Sequence, residues 1–365
     1  MIMDNKTTPA LTMLYFYLSS FCNCACKHCW ISPRYLNARN APDEAPYETF
    51  IAVIDQAIPL GLQEIKLTGG EPLLSTHAKS LMRYACEKNL GITMETNGVL
   101  LNEEMADFLK DVDIKNVAIS IDGPDADTHE TLRGVKDVFA KTADAVRLCA
   151  ARDINTQVIM SLYKKNYHLI HETARYAQSL GARSIKLNCI SCIERGSDLQ
   201  HEDSLLNIAE YLALHDEIRE KIQPSLKISI LFDIPPVYNF FPKENRHPGR
   251  CGILNILGVL ANGQLSICGI GTSMPDLLFG TVHEKPLAEI WSHEPVLNTI
   301  RDGLPHKLKG ICGACMFKGY CLGKCRAEAY YSNQDIFAPF YFCSQADQLG
   351  LFPEKFKYRK IAKGG

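Results

Sequence analysis

Six short apolar runs alternate with stretches of helical periodicity between Met13 and Cys189, and few folds accommodate that order. The runs fall at 13–18, 64–67, 91–95, 116–121, 155–161 and 184–189. Helical spacing covers about 46–60, 77–88, 103–110, 137–151 and 168–179. Met13-Leu14-Tyr15-Phe16-Tyr17-Leu18 is apolar throughout, as expected of a strand buried on both faces. The pattern predicts an α/β fold, a parallel sheet curved into a partial (β/α)6 TIM-like barrel. Ligands of such sheets sit at the carboxyl ends of the strands. Cys22 to Cys29, Gly69 to Glu71, Glu95 to Gly98 and Ser120 to Gly123 all fall there.

The first of these segments carries the sharpest chemistry. Cys22, Cys26 and Cys29 have the spacing C-x3-C-x2-C, so three thiolates share one loop. They suffice for three irons of a cubane cluster and leave the fourth iron open, whereas a complete protein ligand set has four cysteines. Zinc also wants four ligands, and His28 or Cys24 is available to complete such a site, so spacing alone leaves both readings open. Fifteen cysteines without a secretory signal point to metal ligands in a reducing cytoplasm. A net charge of −2 gives no general attraction to nucleic acid, and no apolar run is long enough to span a membrane.

Composition changes after the proline-marked stretch Asp233-Ile234-Pro235-Pro236. The expected divisions are a tail at 1–12, the barrel at 13–225, a linker at 226–240, a Cys-rich domain at 241–352 and a tail at 353–365. An amphipathic helix is expected at about 203–222. Asn262-Gly263 between two apolar runs predicts a hairpin with a tight type I′ turn.

The cysteine loop, Gly69-Gly70-Glu71-Pro72 after the second strand and the βα series together resemble the radical SAM superfamily. The later cysteines resemble its SPASM extension. Eleven residues separate Cys251 from Gly263 and four more precede Cys268; Cys312, Cys315, Cys321 and Cys325 repeat the C-x2-C-x5-C-x3-C block, and Cys343 follows. The resemblance implies S-adenosylmethionine on the open iron, its reductive cleavage to a 5′-deoxyadenosyl radical, and hydrogen abstraction from a ribosomally made peptide or protein. It implies three [4Fe–4S] clusters: one on Cys22, Cys26 and Cys29, one on Cys251, Cys268 and Cys325, and one on Cys312, Cys315, Cys321 and Cys343. Cofactor contacts carried over in the same way are Gly69, Gly70, Glu71, Ser120, Arg133 and, against the adenine, His28. Asn97, Asp122 and His129 suit a capping or turn role equally well.

Departures from relatives narrow the activity. Gly269 stands where the sulfatase-maturing branch has an aspartate base, and no cysteine lies between Cys251 and Cys268, which disfavours formylglycine formation. The twelve residues before the barrel are too few for a winged-helix leader-recognition domain, so a separate leader-peptide-binding protein is one expected partner. A flavodoxin or ferredoxin-type donor is another. Cys189 and Cys192 are candidates for a hydrogen-donating thiol of a peptide epimerase or for a fourth cluster ligand; His247 is another candidate ligand. A tetrapyrrole side-chain modifier is the rival substrate reading, and a non-catalytic electron-transfer module the rival of a different class. No nucleic-acid or membrane partner is expected.

Overall fold

The computed structural model describes residues 8–35, 44–239 and 251–358. The candidate ligand His247 lies outside them. The six expected strands are present as β1 (Met13–Ser19), β2 (Glu64–Gly69), β3 (Gly91–Thr96), β4 (Asn116–Ser120), β5 (Thr156–Leu162) and β6 (Ser184–Cys189). All six are parallel and adjacent in order. Between them run α1 (Tyr47–Ala57), α2 (Ala78–Glu87), α3 (Glu103–Asp111), α4 (Ala126–Arg133), α5 (Phe139–Ala151) and α6 (Ile170–Ser179). Helix α4 has no counterpart in the sequence reading, because its eight residues are mostly polar.

Strand alternation sorts the side chains. Leu14, Phe16 and Leu18 of β1, Ile65 and Leu67 of β2, and Ile185 and Leu187 of β6 join one continuous core under the helices. The opposite faces present Tyr15, Lys66, Glu95 and Lys186 to the concave side. Lys186 acts electrostatically on Glu95, three strands away, as the curvature of a partial barrel requires.

The sheet does not stop at six strands. Ser229–Phe232 forms β7, parallel to β6, within the stretch expected to be a linker. Its outer edge is capped by side chains: Gln223 bonds Ile230 N–H and Ile228 C=O, and Asn239 Nδ2 donates to Phe232 C=O. Such caps occupy backbone groups that would otherwise recruit another strand. At the other end, β8 (Ile256–Val259) pairs in parallel with β1, and β9 (Leu265–Ser266) pairs antiparallel with β8. The C-terminal hairpin is thus part of the barrel sheet. Its turn is not the two-residue type I′ form. Gly263 N–H donates to Leu260 C=O and Leu260 N–H to Gln264 C=O, and only Gly263 takes a positive φ, of 81°. One left-handed glycine suffices for that longer loop. The expected helix at 203–222 is α-helical only over Ile208–Glu217, capped by Asn207 and Glu210, and continues as a π turn. Among the described residues no helix is long and apolar enough to cross a membrane.

Candidate functional site

The cysteine loop leaves β1 and is pinned from three sides. Phe21–Cys22 pairs with Arg34–Tyr35, the far end of the loop. On the second side, Gly70 N–H donates to Ser19 C=O and Glu71 N–H to Phe21 C=O. A Cβ on Gly70 would lie 2.0 Å from the Phe21 oxygen, so this glycine is needed for the backbone to approach its own cysteine loop. On the third side, Ala25 and Lys27 N–H donate to the carbonyls of Arg133 and Leu132. Those carbonyls end α4 and lack intrahelical partners, so the loop completes the helix that supports it.

Cys22, Cys24 and Cys26 are buried together, with Cys29 beside them. Cys22 Sγ accepts from Cys24 N–H at 3.3 Å and from Asn97 Nδ2 at 3.7 Å, and Cys26 Sγ accepts from Arg133 Nη1 at 3.6 Å. At Cys26 the bond from Cys24, helped by the charge of Arg133, holds the thiol pKa well below its ordinary value against burial. Cys24 differs: bonding to Cys22 and Cys26 and burial raise its pKa, so it stays a thiol. His28 Nδ1 is buried with no partner, and burial keeps the ring neutral by lowering its pKa.

Glu71 is fully buried. Its Oε1 accepts from Leu73 N–H and from Thr96 Oγ1 (2.7 Å), and its Oε2 accepts from Asn97 N–H at 2.9 Å. Burial raises its pKa against the pull of these donors. The carboxyl therefore ties the ends of β2 and β3 together. Arg133 is held by Asp122, Nε to Oδ2 at 2.6 Å, with both side chains buried. Asp122 Oδ1 in turn accepts from Ser161 N–H, and Asp122 N–H donates to His129 Nδ1. Asp122 is thus a buried anchor for Arg133, a role its turn-like sequence context hid. Ser120 lies half-buried at the end of β4.

The later cysteines form two groups. Cys312, Cys315, Cys321 and Cys343 line one cavity, which Pro235, Val237 and Phe317 help to close. Cys312 Sγ accepts from Phe340 N–H and Cys315 Sγ from Phe317 N–H, each at 3.3 Å. Cys251, Cys268 and Cys325 are the second group: burial raises the Cys325 thiol, and the other two raise it further by their charge. Thiols gathered this way ionise together only beside a cation, which an iron–sulfur cluster provides. Among the described residues no three ligand side chains converge on a single-ion position.

Cys189 shares a strand face with Ile185 and Leu187 and packs on the core, while Lys186 and Asn188 take the lumen face of β6. Burial raises its pKa, and it bonds with Tyr211. Cys192 lies beyond the strand, and burial pushes its thiol up to about 11.

The Radical SAM superfamily profile matches residues 16–177, and that of the SPASM iron–sulfur cluster-binding domain matches residues 251–316. The chain carries a radical SAM domain followed by a SPASM domain. Among relatives of this radical SAM/SPASM protein is an AdoMet-dependent heme synthase of Methanosarcina barkeri, 27% identical, aligned over 92% of this chain and 97% of the relative. A PqqA peptide cyclase of Ruegeria pomeroyi is 26% identical over 93% and 89%. Streptococcus suis SuiB, solved with the precursor peptide SuiA, shares the fold with a TM-score of 0.71 at 16% identity, over 92% of this chain and 76% of that one. The first match contains the cysteine loop and Gly69 to Pro72, and the second contains Cys251, Cys268, Cys312 and Cys315.

The sequence reading placed Glu95 at a strand end without its partner, and it missed Lys66, Asp233 and Lys324. Lys66 pairs with Glu95, while Lys324 pairs with Asp233. Burial pushes the Glu95 carboxyl up, but Lys66 and Lys186 hold it below its ordinary value. The lumen-facing Tyr15 senses Lys66, Glu95, Cys251 and Cys268 together, so this polar lumen borders the second cysteine group.

Proposed function

We propose that this radical SAM/SPASM enzyme abstracts a hydrogen atom from an unactivated carbon of a ribosomally made peptide or protein, giving a cross-link or another post-translational modification. The observation that carries the reading is the polar lumen between the cysteine loop and the Cys251, Cys268 and Cys325 group. Cys22, Cys26 and Cys29 would hold the cluster that binds S-adenosylmethionine. Gly70 and Glu71 fix the loop's approach, Glu71 receives the methionyl ammonium, and Arg133 meets its carboxylate. When bound, cluster and cofactor supply one-electron cleavage and hydrogen abstraction. Cys251, Cys268 and Cys325, and separately Cys312, Cys315, Cys321 and Cys343, would hold auxiliary clusters that accept the product's electron. A flavodoxin or ferredoxin-type protein would deliver the first electron, and a separate protein would present the leader peptide.

The similarity to a peptide cyclase and to a peptide-bound fold neighbour supports a peptide substrate. The heme synthase likeness favours a second reading, modification of a tetrapyrrole side chain. Anaerobic incubation with S-adenosylmethionine, dithionite and either a peptide encoded beside the gene or iron-coproporphyrin separates the two. A mass loss in the peptide with 5′-deoxyadenosine release is expected; turnover of the porphyrin alone refutes the peptide reading.

A further inference from the structure

Lys186 is the lumen ammonium with the loosest engagement. It projects from β6 between Glu95 and Asp233, and both carboxylates already have closer partners, in Lys66 and Lys324. Its nearest carboxylate oxygen, Asp233 Oδ2, is 3.9 Å away, beyond hydrogen-bond reach. A third of the side chain is accessible. Two positions on, Asn188 occupies the same face of β6, and its Oδ1 is buried with no partner. A buried acceptor left without a donor is costly, so the site gains by receiving one. In register with Lys186 on the neighbouring strand, Leu231 is 41% exposed and gives the subsite an apolar rim.

Positions two apart on a strand point the same way, with Cα atoms roughly 6–7 Å apart. One residue of a bound peptide can therefore face both groups, and an acidic residue carries what each lacks: a carboxylate for the ammonium and an N–H donor for Asn188 Oδ1. We propose that Lys186 and Asn188 form a lumen subsite for an acidic residue of the substrate peptide, its carboxylate on the ammonium and its amide N–H on Asn188 Oδ1. This rests on the peptide reading above and adds the residue class that the peptide presents. Leu231 would pack on the glutamyl methylenes.

The test uses the full chain, reconstituted anaerobically and loaded with S-adenosylmethionine. Calorimetry compares three probes: acetyl-Ala-Glu-Ala-amide, acetyl-Ala-Gln-Ala-amide and acetyl-Ala-Ala-Ala with a free terminal carboxylate. The Glu probe is expected to bind at least about tenfold tighter than the Gln probe. Lys186→Met should erase that preference and Lys186→Arg retain part of it, while Asn188→Leu should weaken both probes alike. Iron content and thermal melting equal to the parent's establish that each variant is folded. Equal affinity for the Glu and Gln probes, or no binding of any probe, overturns the proposal. So does a preference that survives Lys186→Met, which would leave Lys186 as a counter-ion of Asp233. Tighter binding of the free-terminus probe overturns it too, by placing a chain end in the subsite. Failure of the peptide reading looks different: the unmodified protein would then turn over only the porphyrin.

Discussion

Gly134 stands so close to the cysteine loop that a Cβ on it would lie 2.4 Å from the carbonyl oxygen of Ala25. It also has a positive φ of 70° at the C-terminus of α4. Gly134→Ala therefore meets both backbone strain and a clash with backbone, at about 1–3 kcal/mol. The loop should move, since its N–H groups rest on the same helix end. Iron analysis of the reconstituted variant should find the loss confined to the cysteine-loop cluster, and a denaturant titration should report the lower stability.

Asp122→Asn leaves the Arg133 guanidinium buried without its counter-charge, which costs about 3–5 kcal/mol. Burial pushes the Asp122 carboxyl up, but Arg133, His28, His129 and the Ser161 N–H together outweigh it, and the folded-state pKa lies below the ordinary value. A depressed carboxylate pKa contributes stability that is complete above the unfolded value, about 3.9, and fades as the pH falls through the folded one. The stability gap between parent and variant should thus be full above about pH 5 and narrow in acid. Urea titrations across that range check it. Binding of S-adenosylmethionine should weaken in parallel, because Arg133 loses its orientation.

Glu71→Gln replaces one acceptor oxygen by a donor while Leu73, Thr96 and Asn97 all still donate. One buried donor is left facing another, at a cost of about 1–3 kcal/mol. The expected result is a raised KM for S-adenosylmethionine and a lower melting temperature, with the auxiliary iron retained.

Replacing Cys22, Cys26 and Cys29 by alanine should abolish dithionite-dependent 5′-deoxyadenosine formation and remove about four of about twelve irons. Cys24→Ala should keep both, because that thiol is held protonated between its neighbours. Iron counts and product chromatography on the two variants decide the ligand assignment.

The outer face of the barrel was legible in the sequence, since Leu14, Phe16, Ile65 and Leu67 are apolar at strand spacing. The cysteine loop and Gly69 to Pro72 were legible as well, at the ends of those strands. The lumen was not. Glu64-Ile65-Lys66-Leu67-Thr68 reads as a strand with one wet face, and nothing local distinguishes solvent from the inside of a polar barrel. Asp122 was hidden for a similar reason, because its partner Arg133 belongs to a polar helix that periodicity does not mark. The attachment of β8 to β1 is non-local, and no local pattern reveals it.

That attachment bears on the order of events during synthesis. β1 leaves the ribosome early, yet one of its edges waits for Ile256–Val259, well over two hundred residues later. Until then the strand that carries the cysteine loop presents unpaired backbone to its surroundings, and closing so long a loop is slow. A nascent or truncated chain lacking the C-terminal half is exposed to strand-to-strand aggregation there. Cluster insertion into the loop is accordingly best served once the whole chain is made, and the two halves should resist being expressed apart.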